Sequence, residues 1–511
     1  MKVLAVLFLA IVALNHTFAA KFAMLPQFGH SHYLVMSKLA KELLSRGHQV
    51  SILLGEEAVY AIGKPNVKTF KMNEEDKKKN DELVEKITKN KSGNFLVEVS
   101  ALFEIQRNYC DVFLSNEEML DEVKNSDVLI GDALYPCSPL VADKFDIPHV
   151  VINMNSLSAP FQQLYGIYSN PAYVPQLKSA LSSNKMGFLN RMKNFGYFLV
   201  NMFVVKTIIY PVYNELKLKH NIKPHKSIQE SMAKVEMILL ERDFVMDNAE
   251  PVMPYVREVG SFLPAPAKPL PAELEEFMQE SGDLGVILVS FGSMVDTLND
   301  DVVKAMNDAF SKVPQKVLWR LKPGSINLSP NIKTVDWLPQ NDILGHEKTK
   351  LFITHAGANG LAEAAYHGVP MICTPFFGDQ LENAQFANDA GIAEILSVKE
   401  ATSEQLVSLL TKMMNAKSYK EKASHISKAM KMRPRSPEKE AADIIEYVQA
   451  LKNLDHLKPR GLNLPFYQLY MLDVIFVLLM AIVLVLASLK ALAGLVVKMC
   501  CSGGTKKAKM S

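Results

Sequence analysis

Two histidines in the first loop of the chain, His30 and His32, have the side-chain type suited to removing a proton from a hydroxyl group. They precede residues 33–46, whose apolar spacing predicts a helix closed by Gly47. A histidine at the start of a helix lies near the positive end of its dipole, which favours the neutral imidazole that a general base requires. The local pattern leaves the choice between the two histidines open.

A second stretch, THAGANG at 354–360, has the sequence of a phosphate-binding turn. An apolar strand at 351–354 breaks there, and a helix is predicted to restart at 361–367. Unpaired N–H groups and the positive dipole end at such a helix N-terminus fit a diphosphate, and the glycines allow close backbone approach. His355 can add a hydrogen bond. A weaker glycine turn at 290–293 can offer further backbone and hydroxyl donors.

Strand and helix signals alternate around these residues as they do in α/β proteins. Apolar runs followed by polar loops predict parallel strands with ligand loops at their carboxyl ends. In the first half we expect strands at 21–25, 49–54, 127–130 and 149–153, with loops at 27–32 and 131–139. From 285 to 396 the same alternation predicts a second α/β domain.

The stretch 263–271, LPAPAKPLP, marks the predicted domain boundary because its prolines disfavour both helix and sheet. We therefore predict one domain over 21–262 and another over 272–455, ending in a helix at 437–454 that leads toward the C-terminus. The aromatic, Met-rich region 161–220 has helical spacing. This spacing suits either a lid or wall of a binding site or a plain core helix.

The most informative stretch is residues 337–380, WLPQNDILGHEKTKLFITHAGANGLAEAAYHGVPMICTPFFGDQ. Its length and its ordered Trp-x-Pro-Gln, His-x-Gly, Glu, Gly-Val-Pro and Asp-Gln elements resemble the donor-binding signature of UDP-glycosyltransferases. The ITHAG sequence at 353–357 is similar to that of animal UDP-glucuronosyltransferases, and the resemblance extends over nearly the whole chain. It implies a GT-B fold, in which two facing Rossmann-like α/β domains, acceptor-binding at 21–262 and UDP-sugar-binding at 272–455, enclose a cleft.

The resemblance also implies a set of donor-binding residues. By the family pattern Trp337 would stack on uracil, Glu363 would bind the ribose hydroxyls, and Asp379 and Gln380 would hold the sugar hydroxyls. Residues within 355–360 would contact the diphosphate. The complete predicted set is Ser293, Trp337, Gln340, His355, Asn359, Gly360, Glu363, Asp379 and Gln380.

Taken singly, these donor-site residues have structural alternatives. Trp337 could anchor a core, His355 could be a satisfied buried histidine, and Glu363 could be a solvated helix position. No Asp-x-Asp pair suggests a metal held against the diphosphate. We therefore expect no metal and no cofactor, with the UDP-sugar as co-substrate and the leaving-group charge stabilised by the helix dipole and hydrogen bonds.

The family register chooses between the two histidines. The catalytic histidine of this family lies sixteen places before the last residue of an Arg-Gly-His triplet, and here that residue is His48, which selects His32. Asp132, in GDALYPC, matches the acidic partner that would orient the ring. These roles imply an inverting transferase that makes a β-glycoside of a small lipophilic acceptor from an α-linked UDP-sugar. The alternative for Asp132 is an Asx turn at a strand end.

One sequence position leaves the identity of the transferred sugar open. Where related glucuronosyltransferases carry an arginine before the linker, this chain has Glu241, with Arg242 beside it. A glucuronate carboxylate calls for a basic partner, so glucose or another neutral hexose stays an alternative. Two further alternatives are a UDP-sugar epimerase, which would not need membrane signals, and a non-catalytic UDP-sugar-binding membrane protein, which would not need both His32 and Asp132.

Both ends of the chain predict a membrane anchor. Residues 1–20 combine an early lysine, an apolar run and terminal small residues, as in a secretory signal peptide; the alternative is a buried strand. Residues 474–497 are apolar apart from one lysine and can span roughly 30 Å of hydrocarbon. The lysine-containing tail 498–511 predicts a cytosolic end and a single-pass type I topology, with lumenal catalytic domains. Lys507 and Lys509 resemble a dilysine signal for the endoplasmic reticulum, and a plain stop-transfer tail is the alternative.

Charge and cysteine content limit which further partners and covalent features we expect. The net charge of +2 gives no electrostatic case for nucleic acid. Five cysteines are too few for a disulfide-built scaffold, and spacing alone does not pair Cys110, Cys137 or Cys373. Asn90 and Asn327 begin glycosylation sequons. We expect membrane lipid around the span, while the acceptor's identity and a homo-oligomeric state stay open.

Overall fold

The computed structural model describes residues 19–88, 95–154, 162, 164–167, 169–243, 245–246, 249–292, 298–322, 326–376, 378–398 and 400–502. Four predicted features therefore lie outside the described residues: most of the signal peptide, the Asn90 sequon, Ser293 and the tail lysines 507 and 509. The chain divides into a large unit, Met1–Leu457, and a small unit, Lys458–Ser511.

A seven-stranded parallel sheet forms the first half of the large unit, in the order β3-β2-β1-β4-β5-β6-β7. Its central strands are buried on both faces, which explains why they read as apolar runs. The strands are β1 Lys21–Leu25, β2 Gln49–Gly55, β3 Val67–Phe70, β4 Val128–Asp132, β5 His149–Asn153, β6 Met237–Leu240 and β7 Val256–Glu258.

Eight helices accompany this sheet in the described residues. A disulfide between Cys110 and Cys137 joins the helix Phe95–Leu114 to the first residue of the helix Cys137–Phe145, a pairing that sequence spacing could not show. The π-helical segment Val205–Ile209 joins the helices Phe188–Val204 and Tyr210–Lys219. The helices are α1 His30–Ser45, α2 Glu74–Thr88, α3 Phe95–Leu114, α4 Glu117–Lys124, α5 Cys137–Phe145, α6 Phe188–Val204, α7 Tyr210–Lys219 and α8 Ile228–Ala233.

A six-stranded parallel sheet, in the order β10-β9-β8-β11-β12-β13, forms the second half. Its strands are β8 Val286–Ser290, β9 Lys316–Arg320, β10 Ile332–Val335, β11 Thr349–Thr354, β12 Met371–Cys373 and β13 Ala393–Ile395. The accompanying helices are α9 Ala272–Gln279, α10 Asp300–Ser311, α11 Gln340–Leu344, α12 Ala358–His367, α13 Gln380–Asp389, α14 Ser403–Asn415, α15 Lys417–Lys431 and α16 Pro437–Leu451.

The helix α16 returns to the first sheet. Its buried Ile445 and Val448 belong to the same hydrophobic core as β1, and Arg46, just after α1, pairs with Asp443 and Glu446. The proline-rich segment 263–271 contains neither helix nor strand. The domain bounds drawn from the sequence stay predictions.

Several element bounds differ from the sequence expectations, and three of these differences concern the site. Helix α1 begins at His30 and α12 at Ala358, each three residues earlier than predicted, because Gly29 and Gly357 serve as their N-cap residues. His32, Asn359 and Gly360 therefore lie in first helical turns and not in loops. Strand β4 runs on to Asp132 because that residue pairs with Ile152 of β5, so the predicted loop 131–139 is too long at both ends.

The small unit contains α17, Phe466–Leu469, and α18, Leu472–Ser502. Helix α18 includes the whole predicted span 474–497, and by length and composition it is a candidate membrane span. A second stretch in the described residues, Phe188–Lys219, meets the same criteria but is partly buried in the large unit.

Both sheets contain a point where the strand order reverses. In the first sheet β1 has β2 on one side and β4 on the other, and in the second β8 has β9 and β11. Loops leaving adjacent strands at such a reversal diverge and open a crevice at their carboxyl ends, where open α/β sheets bind ligands. The residues that follow β1, β4, β8 and β11 therefore define where a site can form.

Candidate active site

His32 and Asp132 meet at the reversal point of the first sheet. The Nδ1 atom of His32 lies 2.5 Å from Oδ2 of Asp132, and only 16% of the histidine side chain and 2% of the aspartate side chain are exposed. The other carboxylate oxygen, Oδ1, accepts a hydrogen bond from the Leu134 N–H at 2.9 Å. The Asx turn and the histidine contact are therefore both present, one at each oxygen.

His30 has a different environment. Its ring lies 4.5 Å from the Tyr60 ring and 6.0 Å from the Trp337 ring, measured between centroids. Burial lowers the pKa of His30. Since Trp337 belongs to the second half of the unit, His30 contacts the opposite side of the cleft, whereas His32 contacts a carboxylate of its own sheet.

The N-terminus of α12 is left without a side-chain cap. Gly357 is its N-cap residue, and Asn359 and Gly360 lie in the first turn. The preceding Ala356 has a φ of 63°, a backbone conformation that non-glycine residues seldom adopt and that is found at functional turns. The first N–H groups of α12 therefore keep the donors and the positive dipole end that a diphosphate requires.

His355 lies in the turn before α12, and its ring is packed against two glycines. A Cβ atom at Gly292 would come within 2.6 Å of the His355 ring, and one at Gly357 within 2.5 Å, so neither position admits a side chain. Burial and the nearby Arg320 charge lower the pKa of His355 to about 4. Its buried Nδ1 atom has no hydrogen-bond partner among the described residues. His355 is therefore not fully hydrogen-bonded within the described residues.

Two of the predicted nucleoside contacts lie at the edge of this turn. Trp337 is 62% exposed, so it is not a core anchor. Gln340 donates from Nε2 to Oε2 of Glu363 at 2.7 Å. Burial raises the pKa of Glu363 to about 7, partly opposed by the Gln340 hydrogen bond. Glu363 is therefore not a solvated helix position, and its carboxyl group titrates near neutrality.

Asp379 and Gln380 sit at the start of α13. The buried Gln380 accepts a hydrogen bond at Oε1 from the Phe376 N–H, whereas Asp379 is exposed and accepts at Oδ2 from Asn383. The Asn383 amide also donates to the Ala356 carbonyl, at 3.0 Å. The start of α13 is thereby tied to the turn that precedes α12.

A cavity lies where the two halves of the unit meet. Met154, Glu241 and Ser261 line it from the first half, and Ala358 and Asn383 are among its lining from the second. The lining residues described by the structure include no Lys, Arg or His. This cavity therefore brings Glu241 close to the N-terminus of α12.

Glu241 is buried beside the catalytic candidates. Its Oε1 accepts a hydrogen bond from the Phe262 N–H at 3.0 Å. Burial raises the pKa of Glu241 to about 8, and the nearby Asp132 adds to the rise. The neighbouring Arg242 is held in ion pairs with Glu250, at 2.5 Å, and Glu258, at 3.5 Å. The basic residue next to Glu241 is thus already engaged by two carboxylates.

Two residues that the sequence analysis did not single out belong to this region. Arg320 ends β9, donates to the Gly292 carbonyl, and lies 5.4 Å from the Trp337 ring centroid. The sequence signal that could have identified Arg320 is its position at the end of β9, the strand next to β8. Asn383 could have been found from its spacing of four residues after Asp379, which puts both on one helix face.

The described residues include no cluster of three or more His, Cys, Asp or Glu side chains that could hold a metal ion.

Two parallel sheets of Rossmann type, each with one reversal of strand order, are the architecture of the GT-B fold. Solved structures agree on this fold. The kitacinnamycin glycotransferase matches with a TM-score of 0.59 at 17% identity, covering 84% of this chain and 99% of its own. A UDP-glucose: anthocyanidin 3-O-glucosyltransferase, in complex with UDP, matches with a TM-score of 0.56 at 20% identity, covering 84% and 99%.

The family model "UDP-glucoronosyl and UDP-glucosyl transferase" matches residues 21–507, and the chain belongs to this family. UDP-glucuronosyltransferase 1-2 of Mus musculus is 34% identical, over 98% of this chain and 94% of its own length. UDP-glucuronosyltransferase 2B7 of Homo sapiens is 32% identical, over 89% of each. The protein is therefore a UDP-glycosyltransferase that uses a UDP-sugar as co-substrate, transfers to an acceptor and needs no cofactor. Its family and its C-terminal apolar helix suggest a membrane-bound protein.

The predicted ribose contact of Glu363 can be tested through its pKa near 7. Ribose hydroxyls donate hydrogen bonds to an ionised carboxylate. The wild-type protein should therefore bind UDP only slightly more tightly than Glu363→Gln at pH 6, where the acid is mostly protonated, and much more tightly at pH 8.5. UDP dissociation constants of both proteins, measured by calorimetry at the two pH values, give the comparison, and their ratio cancels the ionisation of UDP itself. A ratio that does not change with pH would contradict this role.

Proposed function

We propose that this chain transfers a neutral hexosyl group, with inversion, from a UDP-sugar to the hydroxyl group of a small lipophilic acceptor, and that His32 is the general base. The observation that carries the proposal is the 2.5 Å contact between His32 and the buried Asp132 at the edge of the cleft. In this arrangement a carboxylate orients the general base, and the proposed donor-binding turns belong to the second half of the unit.

The carboxylate fixes which nitrogen of His32 acts as the base. An ionised carboxylate only accepts hydrogen bonds, so the Asp132 contact keeps the proton on Nδ1 and leaves the lone pair on Nε2. The acceptor hydroxyl gives its proton to Nε2 while its oxygen bonds to the anomeric carbon. The bond from that carbon to the UDP oxygen breaks, and UDP leaves with the electron pair. Asp132 then stabilises the imidazolium that forms.

The leaving group acquires negative charge as this bond breaks. The uncapped N–H groups of α12 and the unpartnered Nδ1 of His355 supply preorganised polar groups for it, and Arg320 adds a positive charge nearby. These groups stabilise charge that develops in the transition state, which lowers the barrier to transfer.

The carboxyl group of Glu241 favours a neutral sugar. A glucuronate carboxylate in the cavity next to α12 would find no basic side chain among the described lining residues, and the nearby Asp132 would oppose its charge. Arg242 is already paired with Glu250 and Glu258, so it is poorly suited to compensate. A hexose hydroxyl can instead exchange hydrogen bonds with the Glu241 carboxyl.

Aromatic side chains around the first loop support a lipophilic acceptor. Phe28 stacks on Tyr109 at 5.6 Å, and Tyr60 lies 5.7 Å from Tyr33 and 4.5 Å from His30. Such a group favours contact with a small apolar or aromatic molecule whose hydroxyl reaches His32.

The cellular placement that we propose is the membrane of the endoplasmic reticulum, with the catalytic unit on the lumenal side. The Cys110–Cys137 disulfide supports an oxidising compartment, and α18 supports a single membrane anchor. The signal peptide and the dilysine tail of the sequence fit the same topology.

Replacing the base should separate chemistry from binding. His32→Ala should lower transfer to an aliphatic alcohol by about 10²–10⁴-fold, because a general base contributes that much, while UDP affinity stays near the parent value. His30→Ala is the matched control and should lose far less. Turnover is measured with microsomal protein and one labelled UDP-hexose.

An acceptor that is already ionised distinguishes a base from a merely structural histidine. An acidic phenol should recover part of the rate lost in His32→Ala, because its oxygen needs no proton removed. Equal losses for the alcohol and the phenol would mean that His32 shapes the site only. A fully active His32→Ala enzyme would remove the mechanism, and a catalytically silent parent protein that still binds UDP would favour the non-catalytic alternative.

The sugar preference depends on Glu241. The parent enzyme should use UDP-glucose in preference to UDP-glucuronate, and Glu241→Arg should shift the ratio of the two kcat/KM values toward glucuronate by about ten- to hundredfold, the size expected of a charge-assisted hydrogen bond worth about 1.5–3 kcal/mol. Glu241→Gln, which resembles the protonated acid, should keep the parent preference. Because the ratio is taken on one preparation, partial misfolding of the arginine variant cancels. A parent preference for glucuronate would contradict the proposal.

A further inference from the structure

Helix α6, Phe188–Val204, exposes large apolar side chains along one face. Seven of them are between 47% and 76% exposed, and their spacing of three and four residues puts most of them in one stripe. They are Phe188, Leu189, Met192, Phe195, Leu199, Val200 and Phe203. Soluble surfaces rarely carry a contiguous apolar stripe of this length unless it binds something.

The buried face of the same helix is partly polar. Asn194 is fully buried; its Nδ2 donates to the carbonyls of Pro171 and Val174, and its Oδ1 accepts from the Gln176 N–H. Asn201 is buried as well. Helices on the surface of soluble proteins normally turn polar residues outward and apolar residues inward. In α6 half of the buried residues are polar while large apolar side chains are exposed, so its outer face suits an apolar environment.

The charged residues in the sequence on either side of α6 and within it all have the same sign. Between Asp146 and Glu215 the sequence contains no acidic residue. Basic residues in the same interval are Lys178, Lys185, Arg191, Lys193 and Lys206. Lys185, Arg191, Lys193 and Lys206 are exposed. Cations beside an apolar stripe are the pattern of a helix that lies in the interface of a membrane with anionic lipids.

We propose that the outer face of α6 lies in the surface of a lipid bilayer, with its apolar stripe among the acyl chains. Arg191, Lys193 and the flanking Lys185 and Lys206 lie at anionic headgroups. The same chain carries α18, a candidate membrane span, joined to the large unit through the short segment 458–471. A span in that helix holds the large unit near a bilayer, which lowers the entropic cost of a second membrane contact.

Two other states of α6 fit the observations less well. A membrane-spanning helix would need about 20 apolar residues and would have to release Asn194, Phe198, Asn201 and Val204 from the large unit, where they are buried. A second copy of the chain packed on this stripe would bring two sets of basic residues together without an acidic partner in the interval. A bilayer surface offers acyl chains to the apolar stripe and anionic headgroups to the basic residues.

A fluorescent reporter on the stripe tests this contact in the full-length protein. Phe195→Trp adds an indole at a position 51% exposed, and Tyr447→Trp on α16, 47% exposed, is the matched control. Each protein is reconstituted in phosphatidylcholine and phosphatidylserine vesicles with either brominated or ordinary acyl chains, and the emission of the parent, which has Trp319 and Trp337, is subtracted. Bromine should quench most of the added emission of Phe195→Trp and little of that of Tyr447→Trp.

Binding of UDP at the parent affinity shows that each variant is folded, and Leu199→Trp serves as the second reporter if Phe195→Trp fails this check. Equal, weak quenching of the stripe and control reporters in UDP-binding protein would overturn the proposal. An emission change that depends on protein concentration and not on bromine would also overturn it, because the stripe would then contact a second copy.

Discussion

The reversal of strand order in each parallel sheet is the constraint on which the site depends. In the first sheet it sets the residues after β1 beside the end of β4, so that His32 and Asp132, 100 positions apart, come within 2.5 Å. In the second sheet it sets Gly292, after β8, against His355, after β11. No local sequence preference could bring these pairs together, since each depends on a parallel neighbour that is distant along the chain.

Burial at these reversal points gives the site its electrostatic character. The pKa of His355 falls to about 4, while the pKa values of Glu363 and Glu241 rise to about 7 and about 8, in each case mainly through burial. These shifts favour the neutral forms of the histidine and of both carboxyl groups. A charged UDP-sugar bound nearby would change which protonation state is favoured. The positive φ of Ala356 and the unpartnered Nδ1 of His355 belong to the same turn, which fits the tendency of strained or unsatisfied groups to collect where ligands bind.

Much of the fold could be predicted from local sequence, because strands buried on both faces read as apolar runs and the glycine-containing turns between them are distinctive. Strands β1 and β5 have the predicted bounds. The starts of α1 and α12 were placed too late, since a glycine N-cap gives a weaker signal than Ser or Asp. The Cys110–Cys137 bond, the return of α16 to the first sheet and the Arg320 contact with Trp337 all depend on tertiary packing, and so they could not be read from spacing. The exposed apolar face of α6 could not be predicted for the same reason: its apolar spacing is that of a core helix, and only the structure shows which face is buried.

The central claim is a single direct displacement at the anomeric carbon by an acceptor oxygen that His32 has deprotonated. The configuration of the product tests it most directly. With an α-linked UDP-hexose and a simple phenol, the anomeric proton coupling in the NMR spectrum of the first product formed reports on the new bond. One displacement inverts the centre, so the account predicts a β-glycoside. An α-glycoside would require a second displacement or a different face of attack, and it would contradict the role given to His32 and the geometry of the cleft.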